Sequence, residues 1–340
     1  MKMPWGYKLN RIGFVMMESI YPQRGGVHEQ VYLLSKELIN LQKKVDILAY
    51  STRRAEESGK RLLWLRQLEP RFLNRLLKAK EEVYIAETAW PIVPTLVAAR
   101  INGSRCVLHL HSVESFQDVG LGRFPKALVK FLEWIGKTCD VILVPSEVES
   151  EILHNNKVKI LRNVIDVESF ETREPMRLQR PAVVFVGGMG YPPNREAAEI
   201  VVKISEEVNR RRRVYFYLVG PSPPPVKFPV IATGYVNSTI PYILGADICI
   251  APLMRGGGVK LKILEYMASG KPIVASRKAV EGIQGVKYVH AETVEEFVNA
   301  ILDILENKVD VEDFKHENPK IIERDHSPKN SARRLLNIIS

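Results

Sequence analysis

Basic residues and glycines cluster in one short segment of the chain, from Ala251 to Ser276. Three consecutive glycines, 256–258, separate two apolar runs that are typical of buried strands and helices. A glycine turn at a helix entrance exposes backbone N–H groups and the positive end of the helix dipole, and both attract an anion. Arg255, Lys260 and Lys262 add formal positive charge at the same place. The segment is therefore a candidate site for a phosphorylated ligand.

A carboxylate follows this cationic turn. Glu265 lies three residues after Lys262 and four before Ser269, so the three share one face of the predicted helix. At about two turns' depth it is within reach of the hydroxyls of a ribose, and cations for a diphosphate together with that carboxylate describe a nucleotide site. The alternative is a tight βα turn in which Lys262 and Glu265 form an ion pair on a solvated helix face.

Two histidines alternate at the end of a predicted strand, Arg105–His111. His109 and His111 therefore point to the same side of the sheet. A metal site would need a third ligand, and the sequence offers none at a suitable spacing. We expect His109 to be packed and His111, at the carboxyl end of the strand, to face a ligand cleft. A hydrogen-bonded core histidine is the alternative.

Glycines also occupy two other turns between a predicted strand and a helix. Gly25 and Gly26 precede a helix without the GxGxxG pattern of a dinucleotide site, so they either admit a ligand or serve only the turn. Gly188 follows a predicted strand at the position where wound sheets bind phosphate. Arg195, in the first turn of the next helix, would contact a diphosphate or only decorate the helix surface.

The composition limits the class of protein. The chain has 340 residues, of which 46% are hydrophobic and 26% charged, which predicts a globular protein of two domains. No apolar run approaches the ~20 residues of a transmembrane helix, and no signal-like segment is found. Three scattered cysteines indicate buried thiols in a reducing compartment, so we expect a cytoplasmic protein. The net charge of +10 favours an anionic partner: nucleic acid is disfavoured because aromatic and basic residues do not alternate, whereas an anionic membrane surface stays open.

Short β-branched runs alternate with amphipathic stretches along the chain, which predicts an α/β protein with two wound sheets. In the first half we predict strands at Arg11–Met17, Val45–Ala49, Val83–Ala86, Val107–Leu110 and Val141–Val144, and helices at Val27–Ile39, Pro91–Arg100, Pro125–Lys137 and Ser146–His154. In the second half we predict strands at Ala182–Val186, Val214–Val219, Val230–Ala232 and Ile248–Ala251, and helices at Asn194–Asn209, Ile240–Gly245, Thr293–Glu306 and Ser327–Ile339. Ser146 and Glu149 predict a capping box.

In order and spacing these motifs resemble the retaining GT-B glycosyltransferases of family 4, the group 1 type. The matching segments include GGVHEQVYLLSKEL, VLHLHS, KILRNVIDVESF, VVFVGGMGYPPNREA and GGGVKLKILEYMASGKPIVAS. The resemblance implies two Rossmann-like wound domains that face a cleft. Residues 1–170 would form the N-terminal acceptor domain, 181–325 the C-terminal nucleotide-sugar donor domain, and 326–340 a crossover helix that packs on the N-terminal domain.

The resemblance also implies a reaction and a site. A sugar would pass from a nucleotide-diphosphate sugar to a glycan, lipid-linked or small-molecule acceptor, with retention and without a metal or another cofactor. His111 would lie near the transferred sugar, Lys262 at the diphosphate and Glu265 at the ribose. The other donor-binding residues that it implies are Gly188, Arg195, Arg255, Gly256, Gly257, Gly258, Val259 and Lys260. Gly25 and Gly26 would line the acceptor or phosphate side.

Two departures from the family pattern keep alternatives open. Gly257 stands where the family has the first glutamate of its E-x7-E pair, and Gly187-Gly188 replaces the usual Gly-Arg pair. A catalytically silent nucleotide- or sugar-binding homologue and a GT-B nucleotide-sugar epimerase are therefore the alternatives. The positive net charge further suggests a lipid-linked acceptor and peripheral association with the inner membrane surface.

Overall fold

In a computed structural model of the chain, residues 9–18, 26–50, 69–116 and 123–340 are described. The chain divides into two compact units. The first holds the described residues up to Val164 together with Pro328–Ser340, and the second holds Ile165–Ser327. Among the described residues, no helix is both long and apolar enough to cross a membrane.

The first unit is built on a sheet of six parallel strands in the order β2-β1-β3-β4-β5-β6. The strands are β1 Arg11–Met16, β2 Lys44–Ala49, β3 Val83–Glu87, β4 Arg105–His109, β5 Val141–Val144 and β6 Val158–Ile160. The helices that connect them are α1 Gly26–Asn40, α2 Pro70–Ala79, α3 Ile92–Asn102, α4 Arg123–Gly136 and α5 Glu147–Leu153. The central strands are buried along their length, as expected of a sheet with helices on both faces.

The second unit repeats the architecture with a sheet in the order β12-β11-β10-β7-β8-β9. The strands are β7 Ala182–Val186, β8 Tyr215–Val219, β9 Val230–Gly234, β10 Ile248–Ala251, β11 Ile273–Ala275 and β12 Val289–His290. The helices are α6 Val167–Thr172, α7 Pro192–Asn209, α8 Ile240–Gly245, α9 Leu261–Ser269, α10 Arg277–Val280, α11 Val294–Leu305 and α12 Glu312–Ile321. The strand pairs with defined register are parallel.

The last helix, α13 Pro328–Ile339, belongs to the first unit although it follows the second in the chain. Its apolar side chains Ala332, Leu335 and Ile339 join the core that β1 and α1 form. Arg105 at the start of β4 donates to the carbonyl oxygen of Ile339 at 2.6 Å. The end of the chain is thus part of the first unit's core.

The α/β class and most elements agree with the sequence pattern. The short strands β6 and β12 and the helices α2, α6, α10 and α12 were not predicted. The helix α12 was missed because it contains Pro319, which usually ends a helix. Ser146 begins α5, but its hydroxyl donates to the Glu149 carboxylate and caps no backbone amide, so the predicted capping box is absent there. The three cysteines are buried thiols as predicted, and the fold brings the sulfurs of Cys106 and Cys139 to 3.2 Å in the core.

Candidate functional site

Both sheets have a point at which the order of the strands reverses. In the second unit β8 pairs with one side of β7 and the later strand β10 pairs with the other side. The direction in which strands are added therefore reverses between β7 and β10. In the first unit the reversal lies between β1 and β3. Ligands of wound sheets bind at the carboxyl ends of the strands beside such a reversal. The turns after these four strands are therefore candidate ligand-binding positions.

The glycine segment 256–258 follows β10 and forms a closed loop. Gly256 and Gly258 have φ angles of 115° and 69°, which only glycine adopts readily. Lys260 directs its ammonium back to the carbonyl oxygen of Gly258 at 2.7 Å. The helix α9 begins at Leu261, so the glycines precede it, as predicted, and Val259 and Lys260 lie between. The side chain of Lys260 therefore closes the loop, because it bonds to a carbonyl oxygen of the loop itself.

Lys262 belongs to α9, and its ammonium lies at the carboxyl end of β7. Its Nζ donates to Oδ1 of Asn194 at 2.7 Å and lies 4.1 Å from the centre of the Phe185 ring. The amide of Asn194 also donates to the carbonyl oxygen of Gly188 at 3.0 Å, so it ties the lysine to the turn after β7. An ammonium is thereby fixed between the two segments that flank the reversal. This arrangement differs from the alternative of a simple Lys262–Glu265 pair on a solvated helix face.

Two glycines make room for this ammonium. A Cβ atom on Gly187 would lie 2.8 Å from Nζ of Lys262, so a side chain there would displace the lysine. Gly220 follows the neighbouring strand β8, and a Cβ atom on it would lie 2.3 Å from the carbonyl oxygen of Gly187. The close approach of the two strand ends explains why glycine follows both. The space beside Lys262 is thus at Gly187, where the chain keeps the family's glycine. Gly188, where the family has arginine, is not crowded, because a Cβ atom on it would lie 3.8 Å from Pro221.

The surroundings of Lys262 favour its neutral form. Burial lowers the pKa of its ammonium to about 7; the neighbouring Glu265 opposes that shift and Lys260 adds to it. An anionic ligand would reverse the balance, because its negative charge stabilises the ammonium in place of the hydration that burial removes. Perturbed lysines of this kind are common at functional sites.

The remaining predicted donor residues divide into loop positions and exposed cations. Arg255 forms a bidentate pair with Glu196 on the surface, and Arg195 lies 3.7 Å from Glu199 one turn along α7. Both arginines therefore have carboxylate partners at the surface. Val259 is buried at the foot of the loop, whereas Glu265, on α9, is half-buried. The sequence pattern did not indicate Asn194, which precedes Arg195, because its side-chain amide is uncharged.

In the first unit, the buried carboxylate of Glu87 joins both histidines of the predicted site. Glu87 ends β3 and is the cross-strand partner of His109 on β4. Its carboxylate lies 3.1 Å from Nδ1 of His109 and 2.7 Å from Nε2 of His111. As predicted, His109 is packed. His111 was predicted as the last residue of the strand, but β4 ends at His109, and His111 lies two residues beyond it and is partly exposed. No local pattern around Glu87 indicates this contact, because it depends on how two strands align.

The charges of this cluster are coupled. Burial alone would raise the pKa of Glu87, but His109 and His111 outweigh it and lower the pKa to about 2. For His111, burial and the nearby His109 lower the pKa, and Glu87 opposes them only in part. Because Nε2 of His111 contacts the carboxylate, Nδ1 is left buried without a hydrogen-bond partner. An unsatisfied buried nitrogen beside a strand end is a ready contact for a ligand hydroxyl.

The turn next to this cluster is strained. Thr88 has φ of 70°, a rare conformation for a β-branched residue. Its amide donates to the carbonyl oxygen of His109 at 2.9 Å, which holds the strained turn against the histidine strand. Such outliers concentrate at functional sites. Of the predicted acceptor loop, Gly26 is the first residue of α1, and Gly25 lies outside the described residues.

Glu87, His109 and His111 also form the only group of three potential metal ligands found among the described residues. The expectation that a histidine pair would lack a third ligand is therefore wrong: the sheet supplies Glu87. Their hydrogen bonds to one another nevertheless satisfy the carboxylate without an ion. The geometry fits a hydrogen-bonded relay that orients His111.

Two further carboxylates near His111 were not predicted. Glu114 accepts from the indole N–H of Trp90 at 3.2 Å, and burial raises its pKa. Glu133 on α4 is buried against Ser115, whose amide donates to it at 3.3 Å, and burial raises its pKa as well. The first unit therefore holds carboxyl groups that are more easily protonated than usual.

Comparison with protein families agrees with this arrangement. The model described as Glycosyltransferase Family 4 matches residues 24–169, and the one described as Glycosyl transferases group 1 matches residues 180–307. The two matches adjoin and follow the two units in order. The chain belongs to the family 4, group 1 glycosyltransferases. A search of curated proteins finds no significant match to its sequence.

Solved structures share the fold over nearly the whole chain of this family 4 protein. Sucrose-phosphate synthase from Thermosynechococcus elongatus is similar with a TM-score of 0.76 at 15% identity, covering 97% of this chain and 98% of that one. A glycosyltransferase from Rickettsia africae gives 0.73 at 14% identity, covering 97% and 98%. Anabaena Alr3699/HepE, solved with UDP and glucose, gives 0.72 at 14% identity, covering 96% and 99%. At these identities the similarity shows the fold, which is GT-B.

Proposed function

We propose that this glycosyltransferase moves a sugar from a nucleotide-diphosphate sugar to a glycan, lipid-linked or small-molecule acceptor, with retention and without a metal ion. The observation that carries the donor assignment is the partly buried ammonium of Lys262 at the reversal point of the second sheet. That position binds phosphate in wound sheets, and the ammonium there has no carboxylate among its hydrogen-bond partners. A nucleotide diphosphate supplies the missing charge.

The residues of the second unit would divide the donor between them. Lys262 would neutralise charge that develops on the leaving diphosphate, where one well-placed donor typically changes the rate by roughly 100- to 1,000-fold. The loop 256–258 would approach the diphosphate closely because it has no side chains. Glu265, on the same face of α9 as Lys262, would accept from the ribose hydroxyls. Arg255 and Arg195 would act only if they leave Glu196 and Glu199.

In the first unit, His111 would contact the transferred sugar. Nδ1 would accept a hydrogen bond from a sugar hydroxyl, since Nε2 is engaged by Glu87. A neutral imidazole is the form that can accept, and the lowered pKa of His111 favours it at neutral pH. The leaving phosphate would take the proton of the attacking hydroxyl, so the reaction needs no separate base. Gly25 and Gly26 would line the acceptor or phosphate side.

The test begins with binding. Purified protein is titrated with UDP, GDP, ADP and their common sugar conjugates by thermal shift and calorimetry. We expect one nucleotide class to bind, with affinity lost in Glu265→Ala and Lys262→Met and kept in the control Lys203→Met, which alters an exposed lysine of α7. Equal affinity in all four proteins would show that the donor site lies elsewhere.

Catalysis is tested next, in the presence of EDTA and of candidate acceptors. Transfer that survives EDTA and gives a product with the anomeric configuration of the donor, measured by proton NMR, agrees with the proposal. Interconversion of the nucleotide sugar without an acceptor would identify the epimerase alternative, which the easily protonated Glu114 and Glu133 make chemically reasonable. Binding with neither transfer nor hydrolysis would identify the silent homologue.

We propose a cytoplasmic location and, for the acceptor, peripheral association with an anionic membrane. The support is the net charge of +10 and the absence of a membrane-spanning helix among the described residues. Nucleic acid is not part of the proposal.

A further inference from the structure

The solvent face of α4 in the first unit is unusual. From residue 126 to residue 137, just past the end of α4, the exposed positions are Ala127, Lys130, Phe131, Trp134 and Lys137, which follow the spacing of one helical face. Phe131 is 54% exposed and Trp134 is 63% exposed. Their rings stack on each other with centroids 5.8 Å apart and do not fold back on the core. A solvent face normally carries polar side chains, so two large aromatic rings on it require an explanation.

The charge on this face has one sign. Lys130 and Lys137 are exposed and flank the two rings along the helix. Between residues 126 and 137, the only carboxylate is Glu133, which is buried against Ser115. The aromatic–basic face, defined as Lys130, Phe131, Trp134 and Lys137, therefore presents cations and aromatic rings to solvent, with no exposed carboxylate within residues 126–137.

We propose that the aromatic–basic face binds the surface of an anionic lipid bilayer. Aromatic rings settle at the boundary between lipid headgroups and acyl chains, and lysines beside them attract anionic headgroups. A second copy of the chain is a poorer occupant. A stable interface buries about 800 Å² per partner, and two aromatic rings supply at most about 500 Å².

The face is connected to the predicted acceptor side of the molecule. Glu133 on the inner side of α4 binds Ser115, which lies four residues after His111. The short turn Glu114–Phe116 is thereby held against α4, and it exposes a third ring, Phe116, by 62%. A bilayer bound at α4 would therefore lie near the segment that carries His111. The inference rests on the acceptor part of the proposed function and extends it, because the bound bilayer would be where a lipid-linked acceptor is found.

Vesicle binding tests the proposal without a donor or an acceptor, so its failure is distinct from failure of the proposed transferase activity. The full chain is sedimented with vesicles of phosphatidylcholine alone or mixed with phosphatidylglycerol, at moderate salt. We expect binding only to the mixed vesicles. The variant Phe131→Ser/Trp134→Ser should bind at least tenfold more weakly, and Lys130→Ser/Lys137→Ser roughly fivefold more weakly per lysine.

Matched controls keep the test specific. Ile39→Ser removes an apolar side chain that is 54% exposed on α1, and Arg211→Ser/Arg212→Ser removes two exposed cations of the second unit. Both should bind vesicles as the parent does, and circular dichroism should show that all variants are folded. Binding that is absent, indifferent to phosphatidylglycerol, or equally weakened by the controls would overturn the proposal. So would a change from dimer to monomer in the aromatic variant, which would assign the face to a second copy.

Discussion

The two candidate site regions both lie at the carboxyl ends of strands in a six-stranded sheet, yet they are built differently. In the first unit, the turns after β3 and β4 hold a carboxylate between two histidines, and only Nδ1 of His111 is left without a partner. In the second unit, the turns after β7 and β10 hold Lys262 against an amide, a ring and a space left by glycine. The first region holds its counter-charge in hydrogen-bond contact. In the second, Lys262 donates to a neutral amide, and the nearby Glu265 offsets the effect of burial only in part.

Because of this difference, the two regions should contribute differently to stability and to ligand binding. A buried charge with its counter-charge contributes to holding the fold, and its loss leaves the partner exposed to the full cost of burial. A buried cation whose nearby carboxylate offsets burial only in part costs stability until an anion binds. We therefore expect variants in the first region to affect folding and activity together, and variants in the second to affect ligand binding almost alone.

Replacing Lys262 should have the largest effect. Lys262→Met is expected to lower kcat/KM for the nucleotide sugar by roughly 100- to 1,000-fold, because the leaving diphosphate loses its fixed cation. The melting temperature of the ligand-free protein should stay the same or rise, since a methionine fills the site without a desolvated ammonium. Steady-state kinetics and calorimetry measure both. A clear fall in melting temperature together with normal kinetics would reverse the comparison.

Glu87→Gln should damage both properties. The free energy of unfolding at neutral pH should fall by about 3 kcal/mol, because two buried histidines lose their shared charge, and kcat should fall with it. The pKa of Glu87 is lowered to about 2, so its stabilisation is present above the ordinary carboxyl pKa and is lost as the pH falls toward 2. Denaturant titrations between pH 7 and pH 2 should show this acid-dependent loss in the parent and less of it in the variant. The exposed Glu151→Gln is the matched control.

The affinity for the nucleotide should depend on pH through Lys262. Its pKa in the free protein is about 7, and a bound diphosphate raises that pKa. Binding above pH 7 must then take up a proton, so affinity should fall by up to about tenfold per pH unit as the pH rises. Calorimetry in buffers of different ionisation enthalpy measures the proton uptake. The same uptake in Lys262→Met would assign the proton to another group.

A smaller effect is expected at Gly187. Gly187→Ala places a Cβ atom 2.8 Å from Nζ of Lys262, and the flexible end of the lysine can move away. We expect nucleotide affinity to fall several-fold while the protein stays folded. Gly103→Ala has a φ of 67° but no heavy atom within 4 Å of the new Cβ, so it controls for backbone strain alone. Equal nucleotide affinity in the two variants would show that the position of Lys262 does not matter.

By itself the sequence determined the parts of the molecule that depend on local pattern. The alternation of β-branched and amphipathic runs predicted the α/β class and most strands, because period and turn chemistry act over a few residues. The glycine segment 256–258 and the position of Lys262 on the following helix were likewise legible in the sequence. The helix α12 was missed because the local rule against proline in a helix was overridden by packing.

Only the tertiary structure decided which side chains meet. Glu87 reaches the histidines because β3 and β4 align it opposite His109, and nothing in its own neighbourhood in the sequence indicates this. Lys262 binds Asn194, which is 68 residues away in the sequence. Lys260 lies in the same cationic segment, yet its side chain bonds to the loop that precedes α9. Such contacts depend on the register between strands and on the space that glycines leave between strand ends. Both are set when the sheet assembles, and neither is encoded in a short stretch of chain.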